Sequence, residues 1–217
     1  MTAAACGTCG TPALRDDAKF CDECGAPIAQ PHEVAEFKQV TVLFADVVHS
    51  MDIAAAVGAE RLREIMADLA GRCAAVVQRY GGTVDQFTGD GIMAVFGAPA
   101  ALEDHAFRAC LTALDIQSKV AELAQEVEAR DGVDLQLRVG LNSGQVIAGE
   151  IGSGPFGYTA IGDQVGMAQR MESVAEPGGV MLSESTLDVY QRAVTSAVEG
   201  GAGSGGRVAQ SAPTPTP

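Results

Sequence analysis

No tryptophan occurs among the 217 residues, and aromatic side chains make up only 5% of them. A core must therefore be assembled from aliphatic side chains, which a hydrophobic content of 47% can supply. No apolar run approaches the roughly 20 residues that a membrane-spanning helix requires. Met1-Thr2-Ala3 opens no secretory leader of the charged-then-apolar kind. Positive charge is also scarce: 14 Lys and Arg face 28 Asp and Glu, a formal net charge of −14. That balance argues against nucleic acid or an anionic membrane as a partner, because both are recognised through clustered cations. The composition suits a cytoplasmic protein with one domain of ordinary size plus appendages.

Cysteine is present in a pattern. Cys6-Gly7-Thr8-Cys9 and Cys21-Asp22-Glu23-Cys24 are two CxxC pairs, each followed by glycine. Such knuckles each offer two thiolates to one side of a tetrahedral ion, and together they predict a structural Zn²⁺ site with no open coordination position. Redox or disulfide chemistry is the competing reading of CxxC. The short polar segment between the knuckles cannot form a core alone, so residues 1–29 are expected to be a zinc ribbon. Residues 30–36 follow as a linker. Cys73 and Cys110 fall within helical patterns and read as small buried hydrophobes.

The main domain is expected at 37–198. Val40, Thr41, Val42, Leu43 and Phe44 read as a buried strand. A helix begins near Ser50 or Asp52 and carries an apolar stripe from Leu62 through Ile65, Met66, Leu69, Cys73, Val76 and Val77 to Tyr80. Gly81-Gly82 ends it, and Val84 to Phe96 follows as a hairpin turning at Gly89-Asp90-Gly91. Ala100 to Arg130 reads as a second long helix, with Phe107, Cys110, Leu111, Leu114, Val120, Leu123 and Val127 inward. Strands are expected at Leu135–Leu141 and Gln145–Glu150, joined by a turn at Asn142-Ser143-Gly144. A glycine-rich loop, Gly152 to Gly157, leads to a strand at Tyr158–Ile161. A helix at Asp163–Val174, a strand at Val180–Ser183 and a helix at Glu184–Val194 complete the domain. Interspersed helices and hairpins predict an α+β sandwich on a largely antiparallel sheet. Gly, Ser, Ala, Pro and Thr dominate residues 199–217, which are expected to be a disordered tail.

Two acids stand out. Asp46 follows the first strand and Asp90 sits in the hairpin turn, so both can face a cleft and share a divalent cation with a bound phosphate. Each acid alone would more simply be a turn residue or a helix cap.

The stretches LFADVVHS, FTGDGIMAVFG, EDHAFRA, LRVGLNSGQVIAGEIG and YTAIGDQVGMAQRMES resemble, in order and spacing, the catalytic domain of class III adenylate/guanylate cyclases. The resemblance covers about Val40 to Val194. It implies a cyclase-like sandwich with a ferredoxin-like core, and attack of the ribose 3′-oxygen on the α-phosphate of ATP, or of GTP, with release of pyrophosphate. Asp46 and Asp90 match the two metal-binding aspartates, which implies two Mg²⁺ or Mn²⁺ per site. Arg170 matches the arginine that steadies the transition-state phosphate, although an ion-paired helix-surface residue is the simpler reading. Ser50 keeps a hydroxyl in the phosphate-wrapping loop, and Thr159 matches a base-recognising position.

This sequence also departs from the family. Gln86 replaces a base-reading lysine, Gly166 replaces a supporting asparagine, and Met51 replaces a threonine. No lysine follows Lys119, so the phosphate-binding lysine of the closing strands has no counterpart. In the family, one subunit supplies the metal aspartates and its partner the base and transition-state residues, which implies a homodimer with two equivalent sites. The expectation is a weak adenylate cyclase with loose base selection. The alternatives are a degenerate cyclase-fold dimerisation module and a zinc-ribbon adaptor.

Overall fold

The computed structural model describes residues 6, 8–12, 20–26, 36–150 and 158–202, with 36, 148–150, 158–161 and 196–202 described by backbone alone. The expected linker, apart from Glu36, the glycine-rich loop and residues 203–217 of the expected tail lie outside the described residues. Residues 199–202 of that tail instead continue the last helix, which runs to Ala202 and not Val194. The main domain runs β1 (Glu36–Val47), α1 (Ser50–Val57), α2 (Ala59–Arg79), β2 (Thr83–Phe87), β3 (Gly91–Phe96) and α3 (His105–Asp131). It continues with β4 (Leu137–Glu150), β5 (Tyr158–Ile161), α4 (Asp163–Val174), β6 (Val180–Leu182) and α5 (Glu184–Ala202). The sheet order is β2-β3-β1-β4-β5, every neighbour antiparallel, with β6 parallel beside β4. This is the expected α+β sandwich.

The two-residue period of β1 sorts its side chains between two layers. Leu43, Ala45 and Val47 join Ile92, Ala94, Phe96, Leu137, Val139 and Leu141 in a core with the buried stripes of α2 and α3. Val40, Val42 and Phe44 point the other way, onto Met93, Val95, Val146 and Ala168 of α4. Asp46 is next in that second series, so it emerges on the α4 side of the sheet.

Three expectations fail for identifiable reasons. Asn142-Ser143-Gly144 is not a turn, because β4 continues unbroken through it. Burial is tolerated there because the polar groups are paired. Asn142 Nδ2 donates to the carbonyl and side-chain oxygens of Gln164 at 2.9 and 2.8 Å, and Ser143 Oγ bonds Thr41 and Thr186. The first helix is two helices, broken at Gly58. The second long helix starts at His105, not Ala100, and Leu114 is 62% exposed. Its buried stripe instead runs through Ala106, Ala109, Ala113, Ile116, Val120, Leu123 and Val127. Phe107, Cys110 and Leu111 are half-buried, with Phe107 stacked on Tyr190 at 5.7 Å.

Candidate active site

Asp46 lies inside β1, two positions earlier relative to the strand end than a flanking turn residue would be, and its backbone registers opposite Gly91 and Arg138. The hairpin turn between β2 and β3 delivers Asp90 to the same edge, where its carbonyl accepts a hydrogen bond from Val47 N–H at 3.1 Å. Gly91 makes this approach possible. A Cβ there would stand 2.6 Å from Asp46 Oδ1 and 2.8 Å from Thr88 Oγ1, so any side chain would push the turn off the carboxylate.

The two carboxyls share a hydrogen bond, and Asp46 is raised from the ordinary 3.8 to about 6. Partial burial is the largest cause, followed by the negative charges of Asp90 and Glu172 and the hydrogen bond to Asp90, against the opposing charge of Arg138. Ser50 opens α1 and donates its hydroxyl to Asp90 Oδ2 at 2.7 Å. Two carboxylates and a hydroxyl are hard oxygen donors of the type that Mg²⁺ and Mn²⁺ take. A cation between the carboxylates would also offset the negative charges of Asp90 and Glu172, which together with burial raise Asp46. The donor set therefore fits the ions that the resemblance implies.

Behind Asp46 lies a pair that sequence reasoning missed. Arg138 Nη2 is 3.1 Å from Glu172 Oε1, and Glu172 is only 6% exposed. Arg138 comes from the strand next to β1 and Glu172 from α4, two residues after Arg170. Gly140 lets α4 lie directly on β4, because a Cβ at 140 would overlap the backbone of Ala168 and Glu172. One available signal was the alternation Leu135-Gln136-Leu137-Arg138-Val139, which aims a cation at the same sheet face as Asp46.

The remaining predicted residues are spread over β2, β5, α1 and α4, and none of their described side chains bonds Asp46 or Asp90. Gln86 projects beside Met93, its Nε2 3.7 Å from the Met93 sulfur, and is otherwise exposed. Thr159 is in β5, with its backbone opposite Gly149; its side chain lies outside the described residues. Arg170 is exposed on α4 and makes no ion pair among the described residues, so the surface ion-pairing reading is not met. A Cβ at Gly166 would find Arg170 Nη2 at 3.9 Å and nothing else within 4 Å. Met51 is 78% exposed at the start of α1.

At the N-terminus the two CxxC knuckles repeat one geometry. Gly10 N–H donates to the Cys6 carbonyl and Gly25 N–H to the Cys21 carbonyl, at 2.8 and 2.9 Å. The sulfurs of Cys6, Cys9, Cys21 and Cys24 all lie within 4.8 Å of one another, with Cys6–Cys24 at 3.6 Å and Cys9–Cys21 at 3.5 Å. A Zn–S bond of about 2.3 Å implies tetrahedral S···S edges of roughly 3.8 Å, so the cluster fits one ion. Hydrogen bonding with the Thr11 side chain and backbone, then with Cys21 and Cys24, lowers the Cys9 thiol to about 6.

Comparison with known proteins agrees with this geometry. The family model of the adenylate and guanylate cyclase catalytic domain matches residues 32–202. An adenylate cyclase of Mycobacterium tuberculosis is 32% identical over 157 residues, which is 72% of this chain and 34% of that protein. The crystal structure of the guanylyl cyclase Cya2 superposes with a TM-score of 0.68 at 30% identity, covering 72% of this chain and 80% of that one. The guanylate cyclase domain of RhGC from Catenaria anguillulae, solved with GTP, gives 0.65 at 31% identity over 71% of this chain and 84% of that one. The chain spans only about a tenth to a third of the length of the curated relatives it matches. On its fold, its paired aspartates and these matches, the chain belongs to the class III adenylate/guanylate cyclase catalytic domain family.

Proposed function

We propose that this chain is a slow nucleotide cyclase that converts ATP to cyclic AMP and pyrophosphate, with loose selection between ATP and GTP. The observation that carries the reading is the convergence of Asp46, Asp90 and Ser50 at one sheet edge, on the face that also bears Gln86 and Arg170. In the reaction the ribose 3′-oxygen forms a bond to the α-phosphorus as the bond to the pyrophosphate oxygen breaks. Two divalent cations supply charge stabilisation at the attacking and leaving oxygens when bound. Asp46 and Asp90 would hold them, and Ser50 fixes the orientation of Asp90.

Arg170 is free to stabilise the transferring phosphoryl group of a site on a partner chain. We therefore assign a homodimer in which Asp46 and Asp90 of one protomer face Gln86, Thr159 and Arg170 of the other. Loose base selection follows from Gln86, whose amide can donate or accept and carries no charge. The four cysteines would hold a structural Zn²⁺ in an N-terminal ribbon, with 30–36 as linker and 37–198 as the cyclase domain. The cytoplasm, where nucleoside triphosphates and reduced thiols coexist, is the location this reading implies. No described helix is long and apolar enough to cross a membrane.

A second reading, a regulatory dimerisation module without turnover, is favoured by one observation: Gly166 offers no side chain beside Arg170. Incubating purified protein with Mn²⁺ and ATP or GTP separates the two. Cyclic product that is lost in Asp90→Ala supports the enzyme, and its absence from a folded dimer supports the module.

A further inference from the structure

A cavity of about 230 Å³ lies on the other side of the sheet from the Asp46 carboxylate, between α2 and the β2–β3 hairpin. Buried Ala45 and Leu137 are among its floor residues, with Met66 and Ala70 on the α2 wall. Phe87, which is 45% exposed, and the Gly89–Gly91 turn form the hairpin wall. The room exists because α2 offers small residues along this stripe: Ala67 and Ala70 follow Arg63 at helical spacing. Arg63, which is solvent-exposed and makes no ion pair among the described residues, is the one cationic residue lining the cavity, and Asp90 in the hairpin turn is the one anionic residue lining it. In a chain of net charge −14, an unpaired arginine at an apolar cavity is suited to an anionic head group.

The size can be calibrated. A dry cavity of about 150 Å³ accepts benzene, so 230 Å³ holds an apolar body of roughly nine carbon atoms. We propose that this cavity binds a small amphipathic monocarboxylate, its apolar body against Met66 and Ala70 and its carboxylate on Arg63. The position has a consequence for the ion site. Ala45 precedes Asp46, and the Gly89–Gly91 wall is the turn that carries Asp90. Filling the cavity props that turn from behind and reduces the ordering that cation binding must impose. Occupancy then tightens cation binding, and by linkage the cation tightens the carboxylate to the same degree. This coupling rests on the assignment of Asp46 and Asp90 as ion ligands; the binding of the carboxylate does not.

Octanoate and uncharged octanol are suitable probes, titrated into the full chain with ¹³C-methyl-labelled methionine and read at the Met66 methyl resonance, assigned with Met66→Leu. Octanoate should shift the resonance saturably. Arg63→Gln should weaken octanoate at least about fivefold while leaving octanol unchanged, the signature of a head-group contact. Ala70→Phe should abolish both, with Ala67→Phe as the second filling variant if the first does not fold. Calorimetric Mn²⁺ titration at saturating octanoate should show about fivefold tighter binding, at the low end of allosteric couplings. No saturable shift with millimolar octanoate, equal weakening of octanol by Arg63→Gln, or binding that survives the filled cavity would overturn the site. Unchanged Mn²⁺ affinity beside an intact methyl shift would overturn the coupling. Failure of Mn²⁺ to bind at all, with the methyl shift intact, would overturn the ion-site reading and leave the cavity assignment standing.

Discussion

Replacing Asp46 with asparagine should stabilise the metal-free protein above neutral pH, against the usual outcome of mutating a partly buried polar group. Asp46 is raised from 3.8 to about 6 by burial, by the charges of Asp90 and Glu172 and by its hydrogen bond to Asp90. Its neutral form is the one that the fold prefers. The stability it contributes is fully present below the unfolded value near 4 and is lost as pH rises through about 6. A difference of about two pKa units corresponds to roughly 3 kcal/mol. Solvent screening of this half-buried carboxyl reduces that to about 1–2 kcal/mol. Asparagine keeps the size and the hydrogen-bond donor of the protonated acid at every pH. Urea unfolding of native and Asp46→Asn protein in EDTA, from pH 4 to pH 8, should give equal stability at pH 4. A gap of about 1–2 kcal/mol in favour of the variant should open by pH 8. A variant that is equally or less stable at pH 8 would refute the reasoning, because Asp46 would then gain nothing from being neutral.

Other perturbations test neighbouring parts of the site. Gly91→Ala would bring a Cβ to 2.6 Å from Asp46 Oδ1, so it should cost about 1–3 kcal/mol of stability and lower Mn²⁺ affinity, both read by titration calorimetry and urea melts. Loss of one transition-state donor costs roughly 10²–10³ in rate, and loosened substrate positioning about another 10². Gly166→Asn with Gln86→Lys should therefore raise turnover, and the open space at Gly166 admits the side chain; Gln169→Ala, which removes an amide about one helical turn from Gly166, should lower native turnover. Metal analysis should find about one zinc per chain, lost in Cys9→Ser, as a four-thiolate site requires.

The sequence was most legible where one physical rule acted alone. β-Branched residues located β1, glycine and aspartate located the hairpin turn, and the 3.6-residue stripe located α2. It was least legible where tertiary pairing overrides local preference. Asn142 and Ser143 are turn formers in isolation, yet Gln164, Thr41 and Thr186 satisfy them inside β4. In α3 three alanines occupy the buried stripe and Leu114 faces solvent, because close helix packing selected small residues over hydrophobic ones. Asp46 and Asp90 were singled out as strand-end acids, and the structure brings them together although Asp46 lies inside β1. The alternation in β4 places Arg138 on the same face, but its pairing with Glu172 depends on how α4 lies across β4.

The central claim is an active site shared between two copies of the chain, with Asp46 on one wall and Arg170 on the other. Mixing Asp46→Ala protein with Arg170→Ala protein and assaying cyclic product with Mn²⁺ and ATP tests it most directly. Each variant alone should be inert, and an equal mixture should recover about a quarter of native activity, because half the dimers are mixed and each has one intact site. A mixture that stays inert, while the native protein is active and both variants fold and dimerise, would contradict the account.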